Sequence, residues 1–193
     1  CRTDSDITVT MKVRLSKSYA LFKWLPYNGT LYGWNQDGNP YLLEEYSLRG
    51  SYTASILFLP NFQMLSTESW NVLRDGLQEF EKFKQYLFYN YYPLTDWKAH
   101  SDSSSWVSYM FFDEETDKGA VLVFRQQDSL ENQQTLKFKG LDPDKYYRLI
   151  DADEIDGGQN SSTKIKGSTL MDGYDIYLAE ARSSSLIWIE LAK

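Results

Sequence analysis

The sequence predicts an α/β segment followed by an all-β segment, because its apolar residues follow two different periodicities. In residues 66–88 they recur in steps of three and four, which places them on one face of a helix. From Trp106 onward, short alternating runs are separated by Gly, Asp, Asn and Ser, which is typical of antiparallel strands. Segment 89–95 lies between the two patterns, and its Pro93 cannot continue a helix. We therefore predict an α/β domain over residues 1–96 and an all-β domain over residues 97–193.

Strands and helices are predicted to alternate in the first domain. The nearly continuous apolar run at residues 19–26 predicts a strand buried on both faces, and residues 54–60 predict a second strand of the same kind. A helix follows over residues 66–88, with Ser66 as its N-cap and Glu68 in the first turn, where a carboxylate favours the helix dipole. This order of strand, loop and helix is typical of parallel βα units.

Three other stretches of this domain have less regular patterns. Residues 6–13 alternate β-branched and polar side chains and are interpreted as a strand or as a loop folded across one. Residues 41–52 are interpreted as a short helical turn. Residues 27–40 contain four turn signals interleaved with aromatic side chains and predict a long loop. Because such loops are usually functional or mobile, this loop either forms a wall of a ligand site or simply covers the domain.

The length of the α/β domain limits its architecture. A closed (β/α)8 barrel takes roughly 250 residues, so residues 1–96 cannot close one alone. Two interpretations remain: a small α+β layer packed on the β-domain, or the C-terminal piece of a larger protein. The second is favoured because the chain begins within the pattern and without Met.

The second domain is predicted to be an antiparallel β-sandwich, since six to eight short strands alternate with polar turns. The predicted strands are residues 106–112, 120–125, 135–139, 146–150, 164–169, 174–178 and 186–191.

Composition excludes several functional classes. A formal charge of −7 and a pI near 4.8 argue against a nucleic-acid partner, which needs clustered Lys and Arg. No apolar run is long enough to span a membrane. Cys1 is the single cysteine, so an internal disulfide and a Cys-built zinc site are excluded. We predict no cofactor.

Two polar stretches are interpreted as solvated loops and not as sites. Residues 151–157 resemble a calcium loop, but the fifth and twelfth positions would be Ile155 and Ser162, which do not supply the required ligands. His100, a possible base, lies among serines with no apolar run around it. We therefore predict no metal site here.

Six short stretches, in their order and spacing, carry a resemblance to a known family. They are Arg2-Thr3-Asp4, residues 24–30, residues 48–51, residues 88–95, residues 119–125 and residues 140–143. Together they resemble the C-terminal part of bacterial α-galactosidase-like enzymes of glycoside hydrolase family 36. The most specific pieces are Tyr-Tyr-Pro-Leu-Thr at 91–95 and Gly-Leu-Asp-Pro at 140–143.

This resemblance implies a multidomain enzyme whose catalytic (β/α)8 barrel is followed by an antiparallel domain, with residues 1–96 supplying the last βα units. The family is retaining, and uses a nucleophile and an acid/base held about 5 to 5.5 Å apart. Its nucleophile lies in a Lys-x-Asp motif, whereas here Lys23-Trp24 is followed by Leu25. The chain is therefore expected to lack the nucleophile and to be inactive alone.

Site residues are implied in the same way. The acid/base of the family follows an Arg-Ser-Asp-like motif, and Asp4 in Arg2-Thr3-Asp4 fits this position. A general acid needs its pKa raised towards neutrality by its surroundings. Arg2, Trp24, Tyr27 and Arg49 are candidate substrate-binding or site-supporting residues, the last three because they are predicted to lie at or beyond strand ends.

The implied partners are an α-galactoside and the rest of the catalytic barrel, and a homo-oligomer is compatible with the sequence. Two rival functions stay open. With 15 Tyr, 10 Phe and 6 Trp, the chain could be a carbohydrate-binding module whose aromatic loop stacks on sugar without chemistry. The other rival is a structural β-domain that packs on a barrel, which is the role predicted for residues 97–193.

Overall fold

The chain divides into two compact units. The computed structural model describes residues 10–25, 27–32, 43–58, 61–153 and 163–192, with the Leu31 side chain left out. The N-terminal unit comprises Cys1–Leu87 and Trp97–Ser103, and the β-unit comprises Phe88–Asp96 and Ser104–Lys193.

The N-terminal unit alternates helices with two short parallel strands. Its elements are α1 (Met11–Leu21), β1 (Gly29–Tyr32), α2 (Glu45–Arg49), β2 (Ser55–Phe58), a 3₁₀ helix (Phe62–Met64), α3 (Thr67–Phe83) and a second 3₁₀ helix (Lys84–Phe88). Gly29 lies opposite Ser55 and Tyr32 opposite Phe58, so β1 and β2 run in the same direction. The predicted strand at 54–60 and the predicted turn at 41–52 correspond to β2 and α2.

The strand predicted at residues 19–26 is wrong, since residues 19–21 are the last turn of α1 and residues 22–24 form the turn after it. The buried apolar residues of α1 and its C-cap are Met11, Leu15, Tyr19 and Phe22. They are spaced by four, four and three positions, which is a helical stripe. The apolar run used for the strand prediction begins at Tyr19, in the last turn of α1. It therefore contains only the end of this helical stripe.

Two further predictions for this unit also differ from the structure. Residues 11–13 of the predicted strand at 6–13 belong to α1, and the remainder lies outside the described residues except for Thr10. β1 lies inside the predicted loop at 27–40, whose remaining residues from 33 onward are also outside the described part.

The N-terminal end of α3 is where the sequence placed it. The Ser66 side chain accepts a hydrogen bond from the Ser69 backbone N–H at 3.1 Å, which confirms the predicted N-cap. The helix ends at Phe83, and residues 84–88 continue as 3₁₀ turns. Trp70, part of the predicted apolar stripe, is exposed, whereas Leu73, about one turn further along the helix, is buried.

The β-unit is built from antiparallel strands with one short helix. Its elements are β3 (Asn90–Pro93), β4 (Trp106–Asp113), β5 (Lys118–Arg125), β6 (Gln133–Leu136), β7 (Tyr146–Asp151), β8 (Ile165–Lys166), α4 (Gly167–Asp172), β9 (Tyr174–Tyr177) and β10 (Ser183–Leu191). Six strands form one sheet in the order β3-β4-β5-β10-β7-β8, and β6 pairs with β9. All these pairs are antiparallel, as predicted.

Two predicted elements of this unit need correction. Of residues 164–169, only Ile165 and Lys166 form a strand, and α4 begins at Gly167. Segment 89–95, taken as the boundary between the domains, contributes β3 at the edge of the six-stranded sheet. The Tyr91 ring lies 5.5 Å from the Phe111 ring across this pair. Pro93 has no N–H to donate. This is tolerated at the edge of the sheet, because among the described residues β3 has no second neighbouring strand that would accept a hydrogen bond from it.

The core of the β-unit lies between the six-stranded sheet and a smaller layer. Buried residues of β4 share one cluster with Leu136 of β6, Leu170 of α4 and Ile176 of β9. The second layer is thus a two-stranded sheet with α4, not a sheet matched in size to the first. The opposite side chains of β4 and β5, such as Tyr109 and Leu122, are also buried. Burial on both faces explains why these two strands are nearly continuous apolar runs.

A buried polar cluster links the turn between β4 and β5 to the start of β7. The Tyr147 hydroxyl donates to Asp117 Oδ1 at 2.8 Å and accepts from the Asp142 N–H at 3.0 Å. Lys145 Nζ lies 2.6 Å from Asp117 Oδ2. Burial, together with the Asp117 carboxylate, raises the pKa of Tyr147 to about 12.

Alkaline pH is expected to weaken the fold through Tyr147. Tyrosine in the unfolded chain ionises near pH 10. With the folded pKa near 12, the stabilisation is complete below pH 10 and is lost as the pH rises from 10 to 12. Urea unfolding of Tyr147→Phe between pH 9 and 12 should therefore show a shallower fall in stability than the parent. The exposed Tyr177→Phe controls for the loss of one hydroxyl, and equal slopes in all three proteins would contradict the prediction.

Gly140 is expected to resist substitution. Its φ of 75° lies in the left-handed region, and a Cβ there would come within 2.8 Å of the Tyr92 hydroxyl oxygen. We expect Gly140→Ala to lower the free energy of unfolding by at least about 1–2 kcal/mol, the usual cost of this backbone region for a residue with a Cβ. Urea melts measure the change. Lys137→Ala, at a nearby exposed position, should stay within about 0.5 kcal/mol of the parent, and equal midpoints for both variants would contradict the prediction.

Candidate functional site

The direction of the two parallel strands identifies the candidate site. β1 ends at Tyr32 and β2 at Phe58, and the register places these two residues side by side. Proteins built from parallel βα units place ligands at the carboxyl ends of their strands. We call this end of the pair the carboxyl edge. Its described residues are Tyr32, Glu44, Phe58 and residues 61–70.

Tyr32 forms the buried base of the carboxyl edge. Its ring meets the Phe58 ring edge-on, with centroids 5.9 Å apart, and its hydroxyl donates to the Glu44 carbonyl oxygen at 3.2 Å. Burial raises the pKa of Tyr32 well above its ordinary value, so the phenol stays neutral. Glu44 Oε2 accepts a 3.4 Å hydrogen bond from the Ser47 hydroxyl, and Glu44 is the first carboxylate after β1 among the described residues.

Exposed aromatic side chains follow β2. Phe62 and Trp70 are 46% and 45% exposed, and their ring centroids lie 5.8 Å apart at an interplanar angle of 31°. Asn61, Gln63 and Met64 beside them are also exposed. The sequence did not identify this pair, because Trp70 was assigned to the buried helical stripe and Phe62 fell between elements. The available signal was an aromatic residue two positions after Pro60, the last residue of the strand predicted at 54–60.

Trp24 and Tyr27 lie at the other end of the strands. Both belong to the connection from α1 into β1, before the amino end of β1, and are 83% and 65% exposed. Reading residues 19–26 as a strand reversed their expected position relative to the sheet. Their role as sugar contacts stays a prediction, but the structure does not bring them to the carboxyl edge.

Arg49 is the last residue of α2 and precedes β2, so it too lies towards the amino end. Its side chain is only 1% exposed. Arg49 Nε and Nη2 bond the two Glu79 carboxylate oxygens at 2.9 and 2.6 Å, and Nη1 pairs with Glu45. This bidentate arrangement joins α2 to α3. Contact between Arg49 and sugar stays a prediction, and the geometry shows a structural clamp.

Tyr52 completes this clamp. Its hydroxyl lies 2.8 Å from Glu79 Oε1 and 2.9 Å from the Gly76 carbonyl oxygen. Burial and the adjacent Glu79 carboxylate raise the pKa of Tyr52 far above its ordinary value. At Gly76, a Cβ would come within 2.1 Å of a Leu48 methyl carbon, so α2 and α3 approach closely only because this residue is glycine.

Arg2 and Asp4 lie outside the described residues, so their assigned roles in substrate binding and acid/base catalysis stay predictions.

Within the described ranges, no group of three or more His, Cys, Asp or Glu side chains could hold a metal ion. No helix in that same part of the chain has the length and apolar character needed to cross a membrane.

Comparison with known proteins supports a specific family for the β-unit. Residues 106–189 match the sequence profile of the glycosyl hydrolase family 36 C-terminal domain. This confirms the resemblance to the C-terminal portion of a family 36 enzyme. The sequence matches no curated protein.

Solved structures share the fold. The galactosidase domain of the α-galactosidase-sucrose kinase AgaSK superimposes with a TM-score of 0.71 at 16% identity, over 94% of this chain and 25% of its own. The α-galactosidase AgaB from Geobacillus stearothermophilus gives 0.70 at 15% identity, over 94% and 24%. The enzyme from Lactobacillus brevis gives 0.65 at 12% identity, over 86% and 22%. The chain thus spans about a quarter of the length of the structures it resembles.

The Arg49 clamp predicts a large difference between two ion pairs. Glu79→Gln removes the bidentate carboxylate partner of the buried Arg49 guanidinium, and we expect a loss of about 3 kcal/mol in unfolding free energy. Arg74→Ala breaks the exposed Arg74–Asp75 pair and should cost at most about 1 kcal/mol. Urea unfolding measures both, and similar losses in the two variants would show that the clamp contributes no more than a surface pair.

Proposed function

We propose that this chain, which carries the C-terminal domain of glycosyl hydrolase family 36, is the C-terminal part of a retaining exo-glycosidase that hydrolyses terminal α-galactosides. The proposal rests on the family match of residues 106–189 in a chain whose N-terminal unit contains the parallel strands β1 and β2. We propose that the N-terminal unit supplies the last βα units of a catalytic (β/α)8 barrel, and that the β-unit is the C-terminal β-sandwich.

The incomplete sheet of the N-terminal unit supports the barrel interpretation. One side of the pair is covered, since Thr30 and Tyr32 of β1 are buried. On the other side, Ser55 and Leu57 of β2 are exposed. Parallel sheets are normally covered on both faces, so an apolar residue such as Leu57 on an open face needs further strands or side chains to cover it.

The carboxylates of the chain support the expectation that it is inactive alone. A retaining mechanism needs two carboxyl groups about 5 to 5.5 Å apart, one as nucleophile and one as acid/base. Glu45 and Glu79 both pair with Arg49, and the described carboxylates of the carboxyl edge, Glu44 and Glu68, match neither of the family's two catalytic motifs. The proposed acid/base is Asp4, with the nucleophile supplied by the rest of the barrel.

The substrate class follows from the resembling enzymes. One structure of the Geobacillus stearothermophilus enzyme AgaA is a complex with raffinose, and another is a complex with stachyose. Both share the fold of this chain at 14% identity. We therefore propose oligosaccharides with a terminal α-galactosyl unit as substrates, with no cofactor.

A longer polypeptide tests this function. The chain extended by its upstream coding sequence should release nitrophenol from nitrophenyl α-galactoside, whereas residues 1–193 alone should not. Asp4→Asn in the extended protein should lower kcat by about 10²–10⁴-fold, the usual contribution of a general acid, and Asp96→Asn, exposed, should leave it unchanged. Turnover by the chain alone, an inactive extended protein, or a fully active Asp4→Asn variant would each contradict the proposal.

A structural β-domain is the alternative that the β-unit itself favours. Tyr109, Phe111, Leu122 and Phe124 are buried on one face of the six-stranded sheet, and the shared core occupies the other. This pattern suits a domain that is covered on both sides better than an open sugar-binding sheet. A binding module would instead release heat on calorimetric titration with galactosides.

A further inference from the structure

The geometry points to Phe62 and Trp70 as an aromatic platform that contacts the sugar units beyond the terminal galactose of an oligosaccharide substrate. The inference rests on the proposed function and adds to it a determinant of substrate length. Neither residue belongs to the acid/base motif or to the other candidate sugar contacts.

Position is the first reason. Phe62 lies in the 3₁₀ helix that follows β2, and Trp70 lies in the first turns of α3, the next element. Side chains on a helix lean towards its N-terminus, and here that end faces the connection from the carboxyl end of β2. Loops after the strands of a (β/α)8 barrel form the active site, so the pair lies on the side where substrate would enter.

Chemistry is the second reason. The two rings are adjacent, with centroids 5.8 Å apart and planes tilted by 31°, and both are nearly half exposed. Asn61 and Gln63 place exposed amides on either side of Phe62 in the sequence. An aromatic face packs against the C–H groups of a pyranose while amides donate and accept hydrogen bonds with its hydroxyls.

Burial is the third reason. α3 buries Leu73, Gly76 and Phe83 against its own unit, while Trp70 is left nearly half exposed. Tyrosine and tryptophan rings with one apolar face and one polar tip are enriched at binding surfaces. The pair is thus not required to fill the described core, and its removal should leave the fold intact.

Two substrates of different length test the platform in the extended polypeptide. Trp70→Ala should lower kcat/KM for a trisaccharide with a terminal α-galactosyl unit by about five- to tenfold, the usual size of an aromatic stacking contribution, and leave methyl α-galactoside unaffected. Trp70→Phe should retain most of the activity on the trisaccharide. Leu77→Ala, exposed on the same helix about two turns away, is the matched control and should change neither substrate. Equal losses on both substrates, or no loss on the trisaccharide, would overturn the platform.

A binding measurement on the extended polypeptide, which needs no turnover, separates this inference from the proposed function. The indole N–H signal of Trp70, assigned by its absence in Trp70→Phe, should shift when the trisaccharide is added at millimolar concentration. If the extended polypeptide hydrolyses neither substrate, the proposed function fails, and a shift of this signal still supports a sugar site. An unchanged Trp70 signal would overturn the platform whether or not the polypeptide is active.

Discussion

A buried guanidinium holds the N-terminal unit together. Removing a charged group from water is costly unless opposite charge and hydrogen bonds replace the solvent. Arg49 meets this requirement with both oxygens of Glu79 and with Glu45, and the Tyr52 hydroxyl bonds the same cluster. Because Glu45 and Arg49 lie on α2 and Glu79 on α3, the clamp fixes the helices that flank β2.

The β-unit is stabilised differently, mainly by apolar burial. Its strands bring Met110, Phe112, Val121 and Val123 into one core with residues of the smaller layer. A polar cluster of Asp117, Lys145 and Tyr147 lies near the strand ends and joins two connections. The described core of the β-unit is thus built from its own side chains.

Local patterns predicted much of the fold, and they failed where tertiary context decided. The Ser66 cap and most strands of the β-unit follow from short-range chemistry and alternation, and were found. Residues 19–26 were misread because an apolar run in the last turn of a helix resembles a buried strand. That error placed Trp24 and Tyr27 at the wrong end of β1. Trp70 was missed because the exposed side of α3 depends on which neighbours cover it, and periodicity does not show this, whereas Phe62 lies between the predicted elements.

The edges of the six-stranded sheet also limit self-association. Free edges invite other chains to add strands, which leads to aggregation. At one edge, β3 has only four residues and ends in Pro93, which has no N–H to offer an incoming strand. At the other edge, β8 has only two residues. The β-unit is therefore expected to resist pairing with other chains through either edge of this sheet.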